Sequence, residues 1–390
     1  MSNLFPSLET FAKGSAATAA GLSTIGMGLL YYGQNFLIYP SAFPQGSREN
    51  VPVPTDFSLP YSDVTLTTAD NVKVKAYLLT QRPKLHINGE TRIEWDDDED
   101  GDAEEFAATR PTVLMFHGNG GNHGHRIPLA KVFYLKMRCN VLMLSYRGYG
   151  LSEGTPSEKG LQMDAQTALD YVLAHEYLSR TPIILYGQSI GGAVAIHLAS
   201  QNRQIITALV LENTFMSLPR LIPTALPWLG PFSFLCHQKW ESYLKVPKIP
   251  KEIPILMLGG MQDEVVPRVH MQELWALVRN RGREPSAEKP SDSSESSLAS
   301  IKAIAAGRAS AASSPTKASA PGEPRKDIKA GGVHEPHAGE RGTPHKEVDG
   351  DNIYLEFPEG THNDTCVQPG YWTAVAEFVA NLSPDKRGDH

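Results

Sequence analysis

Residues 182–202 read PIILYGQSIGGAVAIHLASQN, and this stretch limits the possible folds more than any other. A continuous apolar run of strand length, Pro182 to Tyr186, gives way to Gly187-Gln188-Ser189-Ile190-Gly191 and then to an Ala-rich, helix-like segment. G-x-S-x-G between a strand and a helix is the pattern of a sharp turn that lifts a serine hydroxyl clear of the backbone. The same glycines also suit close packing of a helix on a sheet, or a cradle for phosphate. Either way, the stretch requires a buried strand that feeds directly into a crossover helix.

Other apolar, often β-branched runs of strand length lie at 62–68, 72–79, 112–116, 140–145, 207–212, 254–259 and 352–357, which predicts eight strands in all. The first two are joined by the turn Ala69-Asp70-Asn71 and form a hairpin. Most later strands are separated by helix-like stretches such as 160–179 and 191–202. Continuous runs such as TVLMF and PIILY suit strands buried on both faces of a parallel sheet. A hairpin followed by strand–helix alternation predicts an α/β class: an open, mostly parallel sheet of eight strands with crossover helices.

Two tracts cannot contribute to a core. Residues 94–105, EWDDDEDGDAEE, are a like-charge run at the centre of an acidic loop spanning 86–109. Residues 281–350 are rich in Ser, Ala, Pro, Gly and Lys, and are expected to form a disordered insertion. His334, His337 and His345 fall inside it and read as scattered solvated histidines rather than metal ligands. Cys139, Cys236 and Cys366 are too few and too dispersed for a disulfide framework or a zinc site and read as buried small hydrophobes. A net charge of −7 leaves no basic footprint for nucleic acid.

The N-terminus has a different composition. No charged residue occurs from Gly14 to Ser47, and residues 15–39 are long enough to cross a bilayer. Tyr31, Tyr32 and Tyr39 suit an interfacial belt. The expectation is therefore a short tail (1–14), a retained single-pass anchor (15–39) at the endoplasmic reticulum or plasma membrane, and a catalytic-type domain (40–385) interrupted by the acidic loop and the insertion. The rival reading of the anchor is a cleaved signal peptide, whose apolar region should be shorter and preceded by more positive charge than Lys13 alone. Two N-glycosylation patterns begin at Asn363 and Asn381.

In open α/β sheets ligands bind beyond the carboxyl ends of the strands. The fifth predicted strand ends at Ser189, the seventh in GGMQDEVVP with Asp263, the eighth in PEGTHND with His362, and the third in the glycine-rich FHGNGGN. A serine hydroxyl attacks carbonyl carbon once an imidazole takes its proton, and a carboxylate fixes the imidazole tautomer. The anion that forms needs two donors. The elbow provides one at the Ile190 N–H, and the loop after the third strand provides the other at Asn119. Glu264 and Asp364 remain alternatives to Asp263, which is favoured by its strand-end position. His117 is expected to shape the Asn119 loop, His270 to be a surface or packing residue, and Arg147 of SYRGYG to brace the floor of the site. The order Ser, Asp, His is that of the alpha/beta-hydrolase fold.

LIYPSAFPQGSR, LMFHGNGGNHGHR, SYRGYGLSEG, YGQSIGGAVA, LENTFMSL, MQDEVVP and GTHNDT occur in that order. Through them the chain resembles the fungal Bem-forty-six-like family of alpha/beta-hydrolases, related to metazoan membrane-anchored alpha/beta-hydrolase-domain proteins. The motifs cover residues 36–280 and 351–380. The resemblance implies a serine hydrolase with Ser189, Asp263 and His362 as its triad, no cofactor, and a membrane anchor near the N-terminus. The acidic loop and the insertion depart from the family pattern. The Pro-rich apolar segment 214–235 reads as a small lid able to line a pocket for an acyl chain. An esterase or thioesterase acting on a lipid-like or acylated substrate is thus expected ahead of a peptidase. The alternative from a different class is a catalytically quiet scaffold at a membrane.

Overall fold

The computed structural model of the protein describes residues 8–84, 86–87, 93–94, 103–282 and 342–382. One compact unit comprises residues 1–282 and 342–390.

Nine strands form the main sheet: β1 (Ser62–Thr67), β2 (Lys73–Leu79), β3 (Thr112–Phe116), β4 (Asn140–Ser145), β5 (Ile183–Gln188), β6 (Ile206–Glu212), β7 (Ile255–Gly260), β8 (His345–Asp349) and β9 (Asn352–Phe357). Their order across the sheet is 1-2-4-3-5-6-7-9-8. The six strands from β4 to β9 in that order are parallel, with antiparallel pairs β1–β2, β2–β4 and β8–β9 at the margins. The helices are α1 (Leu8–Ile38), α2 (Ala103–Ala108), α3 (Ile127–Lys136), α4 (Glu158–Ala174), α5 (Ile190–Gln201), α6 (Leu218–Ala225), α7 (Ser242–Lys245), α8 (Arg268–Arg279) and α9 (Tyr371–Asn381).

Because side chains alternate along a strand, each central strand feeds two separate cores. Leu114 and Phe116 of β3 and Ile183 and Leu185 of β5 pack with α4, α5 and α8. Val113 and Met115, with Ile184 and Tyr186, pack on the other face against Phe133 and Tyr134 of α3 and Val375 and Phe378 of α9. The helix after β3 therefore covers one face and the helix after β5 covers the other. Their loops diverge at the boundary between β3 and β5, opening the crevice in which sheets of this kind bind ligands.

The expectation of eight strands is corrected to nine. Residues 345–349 were assigned to the insertion, but they form β8, paired antiparallel with β9. This strand is polar and largely exposed, as suits an edge strand guarded by charge. Trp275 Nε1 of α8 donates to Glu347 Oε2 at 2.7 Å, which holds it in place. His345 consequently lies on a strand, whereas His334 and His337 fall outside the described residues. Within the expected acidic loop 86–109, residues 103–108 form α2, and His86–Ile87 pairs with Ile93–Glu94. The other eight strands lie where their apolar runs placed them, within two residues at each end.

The N-terminal expectation is also corrected. Residues 8–38 do form a single helix, but among the described residues no helix is long and apolar enough to cross a membrane. Gly, Ser, Thr, Gln and Asn recur along α1 and dilute its apolar content. The three cysteines are free and buried. Burial pushes the thiols of Cys139 and Cys366 up to about 12 and that of Cys236 up to about 11.

Candidate active site

Ser189 sits between β5 and α5 with φ of 55° and ψ of −118°, a backbone region that a side-chain-bearing residue occupies only where its surroundings enforce it. The enforcement comes from contacts only glycine can make. A Cβ on Gly187 would lie 2.2 Å from the Gly191 carbonyl oxygen, and one on Gly191 would lie 2.0 Å from the Phe116 carbonyl oxygen. Gly192 meets the Thr214 side chain in the same way. The Ser189 N–H donates to the Glu212 carbonyl at 2.8 Å, and Thr214 Oγ1 donates to the Ser189 carbonyl at 2.8 Å.

The structure brings three of the expected residues into one hydrogen-bonded line. His362 Nε2 lies 3.1 Å from Ser189 Oγ, and His362 Nδ1 lies 2.8 Å from Asp263 Oδ2. Ser189 and His362 are buried but border a cleft of about 380 Å³. The other two carboxylates near the histidine are engaged elsewhere. Glu264 Oε2 accepts from the His362 main-chain N–H at 3.2 Å, and Asp364 Oδ1 accepts from the Thr361 N–H at 2.6 Å. The second oxygen of Asp263 accepts from the N–H groups of Val265 and Val266, at 2.9 and 2.7 Å. Those two bonds orient the carboxylate toward the imidazole.

Asn119 and Ile190 line the same cleft. Ile190 is the first residue of α5, where a helix leaves its N–H groups without intrahelical acceptors. The side chain of Asn119 is bonded at both atoms: Nδ2 donates to the Ile38 carbonyl at the end of α1, and Oδ1 accepts from Tyr149 Oη at 2.8 Å. His117 is buried, with Nδ1 2.8 Å from the Gly118 carbonyl, and burial pushes its imidazole down to about 3. It is neutral and shapes the loop. His270 is buried in packing, its Nδ1 accepting from the Met216 N–H at 3.3 Å. Arg147 is clamped between Asp164 of α4 and Asp70 of the β1–β2 turn, at 2.9 and 2.7 Å, and is not among the residues that line the cleft.

Two supports went unseen in the sequence. Asn213, at a φ of 44° just after β6, donates from Nδ2 to the carbonyls of Thr361 and His362 and to Thr365 Oγ1. Its Oδ1 accepts from the Gly260 N–H at 2.8 Å. One amide thus ties the ends of β6 and β7 to the histidine loop. The only signal was its position at a strand's carboxyl end, within LENTF. The second support is Glu212, fully buried, which accepts from the hydroxyls of Tyr186 and Tyr371 at 2.6 Å each and from Gln188 Nε2 at 3.2 Å. Burial holds its carboxyl above the usual range even though these donors pull it down. It read as the last residue of a strand, and nothing local marked its role under the elbow.

The model of the alpha/beta hydrolase fold matches residues 111–232, which span the Asn119 loop, the elbow and the lid. Across 94% of its length the chain is 37% identical to protein bem46 of Schizosaccharomyces pombe, covering 93% of that protein. The chain belongs to the bem46 family of alpha/beta hydrolases. It is also 31% identical to the uncharacterized membrane protein YNL320W of Saccharomyces cerevisiae, over 92% of this chain and 93% of that one. A third relative, the alpha/beta hydrolase domain-containing protein WAV2 of Arabidopsis thaliana, is 33% identical over 67% of this chain and 80% of its own length. Since the bem46 and YNL320W alignments take in more than nine-tenths of the chain, family membership extends well beyond the elbow.

Proposed function

We propose that this member of the bem46 family is a serine hydrolase, an esterase or thioesterase working through an acyl-enzyme on a lipid-like or acylated substrate at a membrane. One observation carries the reading: Ser189, His362 and Asp263 are hydrogen-bonded in sequence at the mouth of an accessible cleft. His362 Nε2 takes the Ser189 proton as Oγ attacks the carbonyl carbon of the substrate, and Asp263 stabilises the imidazolium that results. The tetrahedral oxyanion is met by the main-chain N–H groups of Ile190 and Asn119. The Asn119 side chain is occupied, so its backbone is the donor. Collapse of the intermediate expels the alcohol or thiol, which takes the proton from His362. Water, activated by the same imidazole, then releases the acid.

A fluorophosphonate probe applied to the full chain tests this reading. Labelling of the wild type that is lost in Ser189→Ala supports it, and a folded wild type that resists labelling overturns it.

Membrane association follows from a different feature. Leu22, Ile25, Leu29, Tyr32 and Phe36 are all exposed and recur at alternating spacings of three and four, so they form one stripe along α1. Trp228 and Phe234 of the lid are exposed as well. In this reading α1 lies along the bilayer interface with that stripe immersed, where a single-pass span was expected. Flotation with phosphatidylcholine–phosphatidylserine vesicles tests it, and a chain that stays in the aqueous fraction sinks it.

A further inference from the structure

The cleft at Ser189 continues beyond the catalytic groups. It shares Asn119, Leu218, Leu221 and Val265 with a second cavity of about 220 Å³. That cavity lies between the lid and α1, with Leu30 and Leu37 on the helix side and Leu229 and Phe232 on the lid side. It shares Leu30, Leu37 and Phe232 in turn with a third cavity of about 570 Å³, which runs outward along α1 past Met27 and Gly33. The three cavities lie in series, each sharing wall residues with the next, from the serine to the exposed length of the helix.

The placement of α1 beside this path is specified by polar bonds. Gln34 is buried within the helix. Its Oε1 accepts from the N–H groups of His237 and Gln238 at 2.9 and 3.3 Å, and its Nε2 donates to the carbonyls of Tyr31 and Leu235. Trp240 Nε1 donates to Tyr39 Oη at 2.9 Å, and that hydroxyl donates to Gln238 at 3.1 Å, which pins the residue just beyond the helix. Ile38 holds the Asn119 side chain. A helix that served only as a tether would need none of these bonds. Buried amides are satisfied where a fixed geometry is required.

The chemistry of the walls selects the occupant. Most residues lining the middle cavity are apolar, and its two amides, Gln34 and Asn119, are both bonded to the protein. A polar ligand would lose its hydration there and find few partners in return. A linear apolar chain loses nothing. We infer that the channel between α1 and the lid holds the acyl chain of the substrate, its carbonyl at Ser189 and its tail along α1. The N-terminal helix is thus a wall of the acyl site and determines chain-length selectivity. This rests on the hydrolase reading of Ser189 for the carbonyl's position, whereas binding of the chain is measurable without turnover.

Two measurements on the full-length protein test the inference. The first is the ratio of kcat/KM for p-nitrophenyl palmitate to that for the acetate. Leu30→Trp, which puts an indole into the channel, lowers this ratio about ten-fold or more. Val348→Trp, on the exposed edge strand β8 and outside all three cavities, leaves the ratio at the wild-type value. The second is binding of radiolabelled palmitate to the Ser189→Ala protein, which is saturable and weakened about ten-fold by Leu30→Trp. Where Leu30→Trp does not fold, Leu37→Trp, at a more exposed position on the same wall, takes its place. An unchanged ratio, or palmitate binding indifferent to both tryptophans, overturns the channel. A wild type that resists fluorophosphonate while Ser189→Ala binds palmitate in a Leu30-dependent way removes the hydrolase reading and keeps the channel. Fluorophosphonate labelling without palmitate binding does the reverse.

Discussion

The sheet side of the Ser189 cleft and the walls of the cavity beside it are built on opposite principles. On the sheet side, glycines 187, 191 and 192 make contacts that leave no space for a methyl group, and Asn213 and Glu212 lock the strand ends with buried hydrogen bonds. On the other side, α6, the Pro227–Leu235 segment and the last turns of α1 contribute apolar side chains, several of them exposed. The first wall fixes Ser189, His362 and Asp263 through short, directional contacts. The second offers a surface whose only requirement is to be apolar and the right width. Chemistry needs fixed positions, while an alkyl chain needs only a dry groove, so the walls should respond differently to substitution.

The largest effect belongs to the rigid wall. Ser189→Ala is expected to cut kcat on the order of 10⁶-fold, and Asp263→Asn on the order of 10⁴-fold. Glu264→Gln and Asp364→Asn should cost far less, because those carboxylates serve main-chain N–H groups. Steady-state kinetics on one ester compares all four, and equal losses at Asp263 and Asp364 would break the assignment of the acid. Gly191→Ala comes next. Its methyl would press on the Phe116 carbonyl, and stability should fall by about 3 kcal/mol or more in urea titrations.

Asn213→Ala removes three donated bonds and one accepted bond at the strand ends. It is expected to cost on the order of 2 kcal/mol and to lower kcat with little change in KM, since the histidine loop loses its anchor. A KM effect alone would assign Asn213 to binding instead. A pH experiment probes the same wall. Burial pushes His123 down to about 3, with His117, His125 and Lys75 adding to the effect. The unfolded chain therefore binds this proton between about pH 6.5 and 3 while the native state does not. The stability associated with neutral His123 is present above about pH 6.5 and declines as the pH falls, on the order of 1 kcal/mol per unit. His123→Phe, which keeps an aromatic ring against Tyr77, should flatten the slope of urea midpoints between pH 7 and 5. Equal slopes would refute this.

The smallest effects belong to the apolar wall's outer rim. Phe36→Ser and Trp228→Ser are expected to shift unfolding by less than about 0.5 kcal/mol while reducing vesicle flotation several-fold. A stability loss comparable to that of Asn213→Ala would mean these residues pack against the protein.

Much of the sheet side was legible in the chain. Parallel strands buried on both faces must be continuous apolar runs, so β3 to β7 and β9 stood out, and their carboxyl ends drew attention to Ser189, Asp263 and His362. β8 escaped because HKEVD, an exposed edge strand, has neither apolar content nor alternation. The Asp349-Gly350 pair before β9 was its one available signal, a hairpin turn with Gly350 at a φ of 59°. Asp263 could not be separated from Glu264 and Asp364 by spacing alone, because the choice depends on which oxygen faces Nδ1.

On the α1 side, an uncharged helix beginning after Lys13 was visible, but its partner was not. Gln34 interrupted an apolar pattern without showing that it would bond to main chain some two hundred residues away. The local events were legible in the residues themselves: strands whose burial demands apolar runs, an elbow whose curvature demands glycine, and the chain order of Ser189, Asp263 and His362. That a cavity opens between α1 and the Pro227–Leu235 segment, and that Asn213 ties the ends of β6 and β7 to the histidine loop, came from the three-dimensional arrangement. Those outcomes depend on long-range directional bonds, and such bonds leave no periodicity in the chain that makes them.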